Sequence, residues 1–186
     1  MRRTIFVVTA VIAGWVAGAA AFLWIPNTAY GVVTSIKNGS WSTSEAVGTA
    51  QAGVLTRAIV ARTGLFALSK EETIYYRAVE DSDGVPFDGA CRYRVIGDAP
   101  QARWWSITIY GADNYLIETP ENRYSIGSKD VGGTIDFAIA GDAEGLWLPV
   151  ADGPFSLTMR LYNPVAAVYE NLATTPLPAI IREGCR

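Results

Sequence analysis

From Ile5 to Ile25 the chain carries 21 residues without a charge, preceded by Met1-Arg2-Arg3-Thr4 and closed by Pro26. Nothing else in the sequence restricts the architecture so tightly. As a helix rising 1.5 Å per residue, such a run is about 31 Å long, which matches a hydrocarbon core of roughly 30 Å. Thr9 supplies its only hydroxyl. Arg2 and Arg3 occupy the short N-terminal flank, so the positive-inside rule places the N-terminus in the cytoplasm and exports the chain beyond Pro26. A second reading is a cleaved secretory signal, for which Ala17-Gly18-Ala19 has the small-residue pattern of a cleavage site. Against it, the apolar run continues through Phe22-Leu23-Trp24-Ile25, and Trp24 falls where an interfacial aromatic is expected. Gly14 and Gly18, with Ala10 and Ala17 beside them, also form a small-xxx-small pattern through which two such helices could approach closely as a dimer. The same spacing arises by chance in alanine-rich spans.

The remaining 160 or so residues have room for one domain with its own core. That part holds all 18 acidic residues against 13 of the 15 basic ones, a net charge of −5, and has no cluster of Lys or Arg. Such a surface excludes sequence-blind nucleic-acid binding. The chain has no histidine, which removes Ser-His-Asp and Cys-His nucleophile systems and His-ligated zinc. Its two cysteines, Cys91 and Cys185, read in an exported domain as one disulfide and in a reducing compartment as two free thiols.

The pattern divides the chain into three segments: residues 1–26 as anchor or signal, 27–41 as a juxtamembrane linker, and 42–186 as the folded domain. Within the linker, Asn38-Gly39-Ser40 matches a glycosylation acceptor, meaningful only in a secreted eukaryotic protein. Ser42-Thr43-Ser44-Glu45 has the form of a capping box and predicts an amphipathic helix of about 20 residues, with Val47, Ala50, Val54, Ala58 and Ala61 on its apolar side and Gly64 as its stop. From Thr73 the hydrophobic period becomes two. Strands are predicted at Thr73–Val79, Cys91–Ile96, Trp104–Tyr110, Thr134–Ala140 and Phe155–Tyr162, separated by Gly, Asp and Pro turn signals. Several strands without intervening helices predict a mainly β protein, an antiparallel sandwich or barrel. Alternation assigns Trp105, Ile107 and Ile109, then Phe155, Leu157, Met159 and Leu161, then Ile135, Phe137 and Ile139 to the core.

A longer set of motifs resembles a known family. Gly64-Leu65-Phe66-Ala67-Leu68, Asp83-Gly84, Trp104-Trp105-Ser106-Ile107-Thr108-Ile109-Tyr110 and Asn122-Arg123-Tyr124-Ser125-Ile126-Gly127 precede Trp147-Leu148-Pro149, Gly153-Pro154-Phe155 and Arg160-Leu161-Tyr162-Asn163-Pro164. In this order they resemble the bacterial and archaeal "domain of unknown function 1214" family, over about Leu55 to Cys185. The resemblance implies a jelly-roll-like β-sandwich with a helix at its start, and no established reaction. Two departures accompany it. Leu146 stands where family members usually carry Asn before Trp-Leu-Pro, and the larger companion domain of many members is replaced by the apolar N-terminal segment.

Trp104, Tyr110, Arg160 and Tyr162, with Arg123 and Tyr124 nearby in sequence, form the candidate binding face. Aromatic rings with a few donors suit a carbohydrate, a peptide or a protein surface. The same residues also make good strands, and Arg160 stacked on Tyr162 needs no ligand. Asp81-Ser82-Asp83-Gly84 begins like a calcium loop but lacks its later ligands and reads as a hairpin turn; Asp142-Ala143-Glu144-Gly145 reads as a polar loop and Gly132-Gly133 as a tight turn. Asp136 and Asp152 are the acids a carboxylate-pair hydrolase would use. No catalytic residue, metal ligand or cofactor is assigned. The expectation is a membrane-anchored binding or interaction module with its N-terminus in the cytoplasm and its domain in the periplasm of a bacterial envelope. A glycosidase-like hydrolase and a structural envelope subunit are the alternatives.

Overall fold

The computed structural model describes residues 2–28, 36–62 and 67–186. Helix α1 runs Arg2–Thr28, past Pro26. Its stretch Arg2–Ala21 has a mean hydropathy of 2.0 and no residue buried, so by length and composition it can cross a membrane or serve as a signal sequence. The predicted helix stop Gly64 and the family motif residues Leu65 and Phe66 lie outside the described residues, as do residues 29–35 of the expected linker.

Beyond α1 the described residues form ten strands, β1 (Ile36–Asn38), β2 (Trp41–Thr43), β3 (Thr73–Ala78), β4 (Cys91–Asp98), β5 (Ala102–Gly111), β6 (Ser125–Gly127), β7 (Thr134–Ala140), β8 (Trp147–Pro149), β9 (Phe155–Pro164) and β10 (Ala179–Cys185). They form two sheets, ordered β1-β2-β3-β9-β5-β6 and β10-β4-β7-β8. All pairs are antiparallel except β7 with β8, which run parallel over only Ala138–Ala140 and Trp147–Pro149. Pro149, which has no ladder donor, is placed on that edge strand, where none is required.

The inner faces of the two sheets meet in one core. Ile74 and Tyr76 of β3, Trp105, Ile107 and Ile109 of β5 and Leu157, Met159 and Leu161 of β9 pack against Tyr93 and Val95 of β4, Ile135, Phe137 and Ile139 of β7, and Ile180 of β10. The three apolar rows read from alternation are therefore all core. Phe87, Tyr93 and Phe155 close one end, Phe87 stacked on Phe155 with centroids 4.7 Å apart and Tyr93 edge-on to both. Tyr76 is buried and its hydroxyl donates to Leu172 O at 2.9 Å; burial pushes its pKa up to about 12. Close backbone approach explains Gly89, where an added Cβ would collide with the Ala151 carbonyl.

The start of the domain departs from expectation. A helix is present, but it is α2 at Val54–Arg62, nine residues long. The predicted N-cap Ser42 lies in strand β2, paired with Arg77, and its hydroxyl donates to Arg77 O. Trp41 explains the difference: it is buried beside Ala78 and its Nε1 donates to Pro178 O at 2.8 Å, so tertiary burial outweighs the local capping signal. Gly48, at φ +78°, then turns the chain before a helix can begin, and the Ser44 hydroxyl accepts from Ala46 N in a local turn. The segment expected as a linker likewise contains β1 and the hairpin turn at Gly39, where φ is +60°. Asn38 is engaged there, its amide donating to Leu172 O and Thr175 O. A glycan on that nitrogen would replace one of its two hydrogens and so remove at least one of these bonds. A short helix α3, Ala166–Glu170, completes the elements.

Candidate functional site

The outward face of the six-stranded sheet is built by three neighbouring strands whose register is continuous. β9 lies between β3 and β5, with Arg160 opposite Tyr75 on one side and Ser106 on the other. One pleat away, Tyr162 is opposite Thr73 and Trp104. Since directly opposed residues point to the same side of a sheet, Tyr75, Trp104, Tyr110, Arg160 and Tyr162 share this face. Four of the six residues predicted for a binding face are thus brought together. Between them, Ser106, Thr108, Ser156 and Thr158 are buried beneath their larger neighbours.

Arg160 is the centre. Its Nη1 donates to Thr108 Oγ1 at 3.1 Å and its Nη2 to the Tyr110 hydroxyl at 2.8 Å. The guanidinium carbon lies 5.8 Å from the Tyr110 ring centroid and 6.0 Å from that of Tyr75, within cation–π range of both. The Trp104 and Tyr162 rings meet at 4.9 Å, tilted by 50°. Burial raises the Tyr162 pKa, with Arg160 pulling weakly the other way, so this hydroxyl keeps its proton at neutral pH. At the Tyr75 end the face is bounded by the segment before β3, where Leu68 N donates to the Tyr75 hydroxyl. The arrangement offers flat apolar ring surface, hydroxyls and a fixed cation.

Arg123 and Tyr124 do not join it. Arg123 reaches to the other sheet, its Nη1 donating to Trp147 O at 3.1 Å and its guanidinium 5.1 Å from the Trp147 ring. Tyr124 O accepts from Ile109 N, which places Tyr124 opposite a core-facing residue, and its hydroxyl donates to Asn122 Oδ1. Tyr75 belongs to the face and was missed. Its signal was available: alternation along Thr73–Ala78 separates Ile74 and Tyr76 from Tyr75 and Arg77.

The acids have structural partners. Asp136 on β7 forms a bidentate pair with Arg94 on β4, at 2.8 and 2.7 Å, and Asp152 accepts from Arg186 at 2.6 Å. The hydrogen bond from Arg94 holds the Asp136 pKa below the usual carboxylate range, against a smaller effect of burial. A general acid needs the opposite shift. Because the folded-state pKa is depressed, the stability this pair contributes is present above the unfolded pKa and is lost as pH falls through the folded one. In a carboxyl-carbon NMR titration Asp136 is expected to have a midpoint below the ordinary aspartate range. Arg94→Gln should return it to that range; an unchanged midpoint would remove Arg94 as the cause.

Asp81 also serves the fold. Its Oδ1 accepts from Asp83 N and Val85 N and its Oδ2 from Arg182 Nε, with Gly84 at φ +77° completing the turn. Gly133 at φ +74° makes the turn before β7. Asp142 and Glu144 lie exposed in the loop after β7. Leu146 packs against the core. Cys91 and Cys185 are directly opposed in the β4–β10 register and joined by a disulfide.

With this fold and motif order, the chain belongs to the family described as protein of unknown function (DUF1214), which matches residues 72–166. Among solved structures it is similar to the VPA0106 protein from Vibrio parahaemolyticus, at 27% identity and a TM-score of 0.58 over 71% of this chain and 36% of that one. It is also similar to an uncharacterised protein from Burkholderia cenocepacia, at 14% identity and a TM-score of 0.47 over 90% of this chain and 41% of that one. The chain thus spans less than half the length of either. No curated protein matches it.

Proposed function

We propose that this protein is a binding module of the bacterial envelope, held in the inner membrane by α1 with its N-terminus in the cytoplasm and its β-sandwich in the periplasm. The observation that carries the binding role is the convergence of Tyr75, Trp104, Tyr110, Arg160 and Tyr162 on one outward sheet face. Rings with one open side and fixed polar tips suit amphipathic ligands such as carbohydrate or peptide. The compartment is supported by the uncharged span behind Arg2 and Arg3 and by the Cys91–Cys185 bridge, a bond that persists in oxidising compartments. The two acids named for the hydrolase alternative do not support it, because Asp136 and Asp152 each sit against an arginine.

Two measurements test this. In spheroplasts, a C-terminally tagged chain should be digested by external protease and resist carbonate extraction at full length. Protection from the protease would refute the exported domain, and a shortened soluble product would refute the anchor. Full-length protein in detergent should bind members of an oligosaccharide and peptide panel, with affinity falling about tenfold or more on Trp104→Ala with Tyr162→Ala. Binding indifferent to those substitutions would refute the face.

A further inference from the structure

We propose that Arg160 is the seat of a carboxylate, and that the ligand of this face is a ring-shaped acid. This rests on the reading of that face as a binding surface and specifies what it binds.

The charge arrangement of the two sheets differs sharply. On and beside the four-stranded sheet, Arg92, Arg94, Arg182 and Arg186 each meet a carboxylate oxygen at 2.6–2.9 Å. On the six-stranded sheet, strands β3, β5 and β9 contain no Asp or Glu at all. Arg160 is half-buried, and no ion pair involves it among the described residues. Its hydrogen-bond partners are neutral, a threonine and a tyrosine hydroxyl. The chain is acidic overall, at −3, so a cation without a nearby acid is a local feature and not a consequence of composition.

A guanidinium has five N–H donors in a planar fork. Thr108 and Tyr110 take two of them and thereby orient the group, while the Tyr75 and Tyr110 rings flank it. A cation oriented in advance and partly removed from water gains most from a charge-assisted bond to an anion. Arg77 stands on the same face, opposite Thr158 and donating to Ser156 Oγ, and the planar fork of Arg160 fits the two coplanar oxygens of a carboxylate. Trp104 and Tyr162 define the second half of the ligand. They stand one pleat repeat from Arg160, about 7 Å along β9, and present ring surface on which a sugar or an aromatic ring can lie. A carboxylate borne on a flat ring satisfies both ends. An acidic sugar and an aromatic acid share that chemistry.

The experiment is calorimetric titration of the full chain in detergent with four probes: trigalacturonate, 4-hydroxybenzoate, maltotriose and inorganic phosphate. At least one of the two acids should bind, weakening as salt rises, while maltotriose and phosphate bind at least about tenfold more weakly. Which acid binds identifies the source. Arg160→Gln should lower the affinity of that acid about tenfold or more, and Arg160→Lys, which keeps the charge but loses the fork, should fail to restore it. Unfolding temperature and circular dichroism of both variants establish that they fold. Thr108→Val, a smaller change that frees the guanidinium from one partner, gives a second test and should weaken the acid without affecting maltotriose. Equal binding of maltotriose and the acids, or acid binding indifferent to Arg160→Gln, overturns the carboxylate and leaves the aromatic face standing. Phosphate binding as tight as the acids overturns it in favour of a general anion site. No binding by any probe up to millimolar concentration, together with a silent oligosaccharide and peptide panel, overturns the binding face itself.

Discussion

Breaking the Cys91–Cys185 bridge should lower the unfolding temperature of the full chain by roughly 8–20 °C. The two residues are 94 apart in sequence. In the chain-entropy account, a closed loop of that size removes conformational freedom from the unfolded chain worth about 4–5 kcal/mol. For a chain of this length each kcal/mol moves the midpoint by about 2–4 °C. The position of the bridge adds a local effect. It ties the last residues of edge strand β10 to β4, and β10 contributes Ile180 to the core and Arg182 to the Asp81 pair. Losing the tie therefore lets the edge fray as well as enlarging the unfolded ensemble. The measurement is thermal unfolding in detergent, with and without reductant and for Cys91→Ser with Cys185→Ser. A shift below about 3 °C would show that the register of β10 is held without the bridge.

How much of the architecture is legible in the sequence depends on strand length and on where burial comes from. The strands at Thr134–Ala140 and Phe155–Pro164 have six or more residues, enough for a period of two to declare itself. Strands β1, β2, β6 and β8 have three residues each, and no period is visible in three. β10 is longer but buries only Ile180, and a register shift between Arg182 and Gly184 disrupts its alternation. Ser42 misleads for a different reason. A capping box is a local signal, and it loses to Trp41, whose buried indole and bond to Pro178 O depend on residues more than 100 positions away.

The candidate face divides along the same line. Trp104, Tyr110, Arg160 and Tyr162 lie on two strands that pair directly, so alternation within each strand suffices to place them on one side. Arg123 and Tyr124 are attached by proximity in sequence alone, and the loop before β6 carries Arg123 across to Trp147 on the other sheet. The contact of Arg160 with Tyr75 is not legible, because it depends on β3 lying beside β9, a pairing across more than 80 residues.

Asp81→Ala is expected to be among the most destabilising single substitutions in the domain, costing on the order of 3–5 kcal/mol. The Asp81 side chain is 1% exposed and that of Arg182 is 24% exposed, with 2.9 Å between Oδ2 and Nε. Truncating the carboxylate leaves that guanidinium partly buried without its counter-charge, and leaves the Asp83 and Val85 amides without the acceptor that forms the turn. The backbone carbonyls of Val85 and Pro86, which accept from Arg182 Nη2, compensate only in part. The size of the loss comes from stranding a charge, not from a large net worth of the pair. Arg182→Met should also be costly, because it strands the Asp81 carboxylate with only the Asp83 and Val85 amides for partners, although it keeps an apolar stem over Tyr93, whose ring the guanidinium approaches at 5.3 Å. The double variant Asp81→Ala with Arg182→Met should be more stable than the sum of the single losses predicts, by about 1–3 kcal/mol. Chemical unfolding of the four proteins closes the cycle. Strict additivity would mean that Asp81 acts only through the turn amides, and that the bond from β10 to this loop contributes nothing to holding the edge strand.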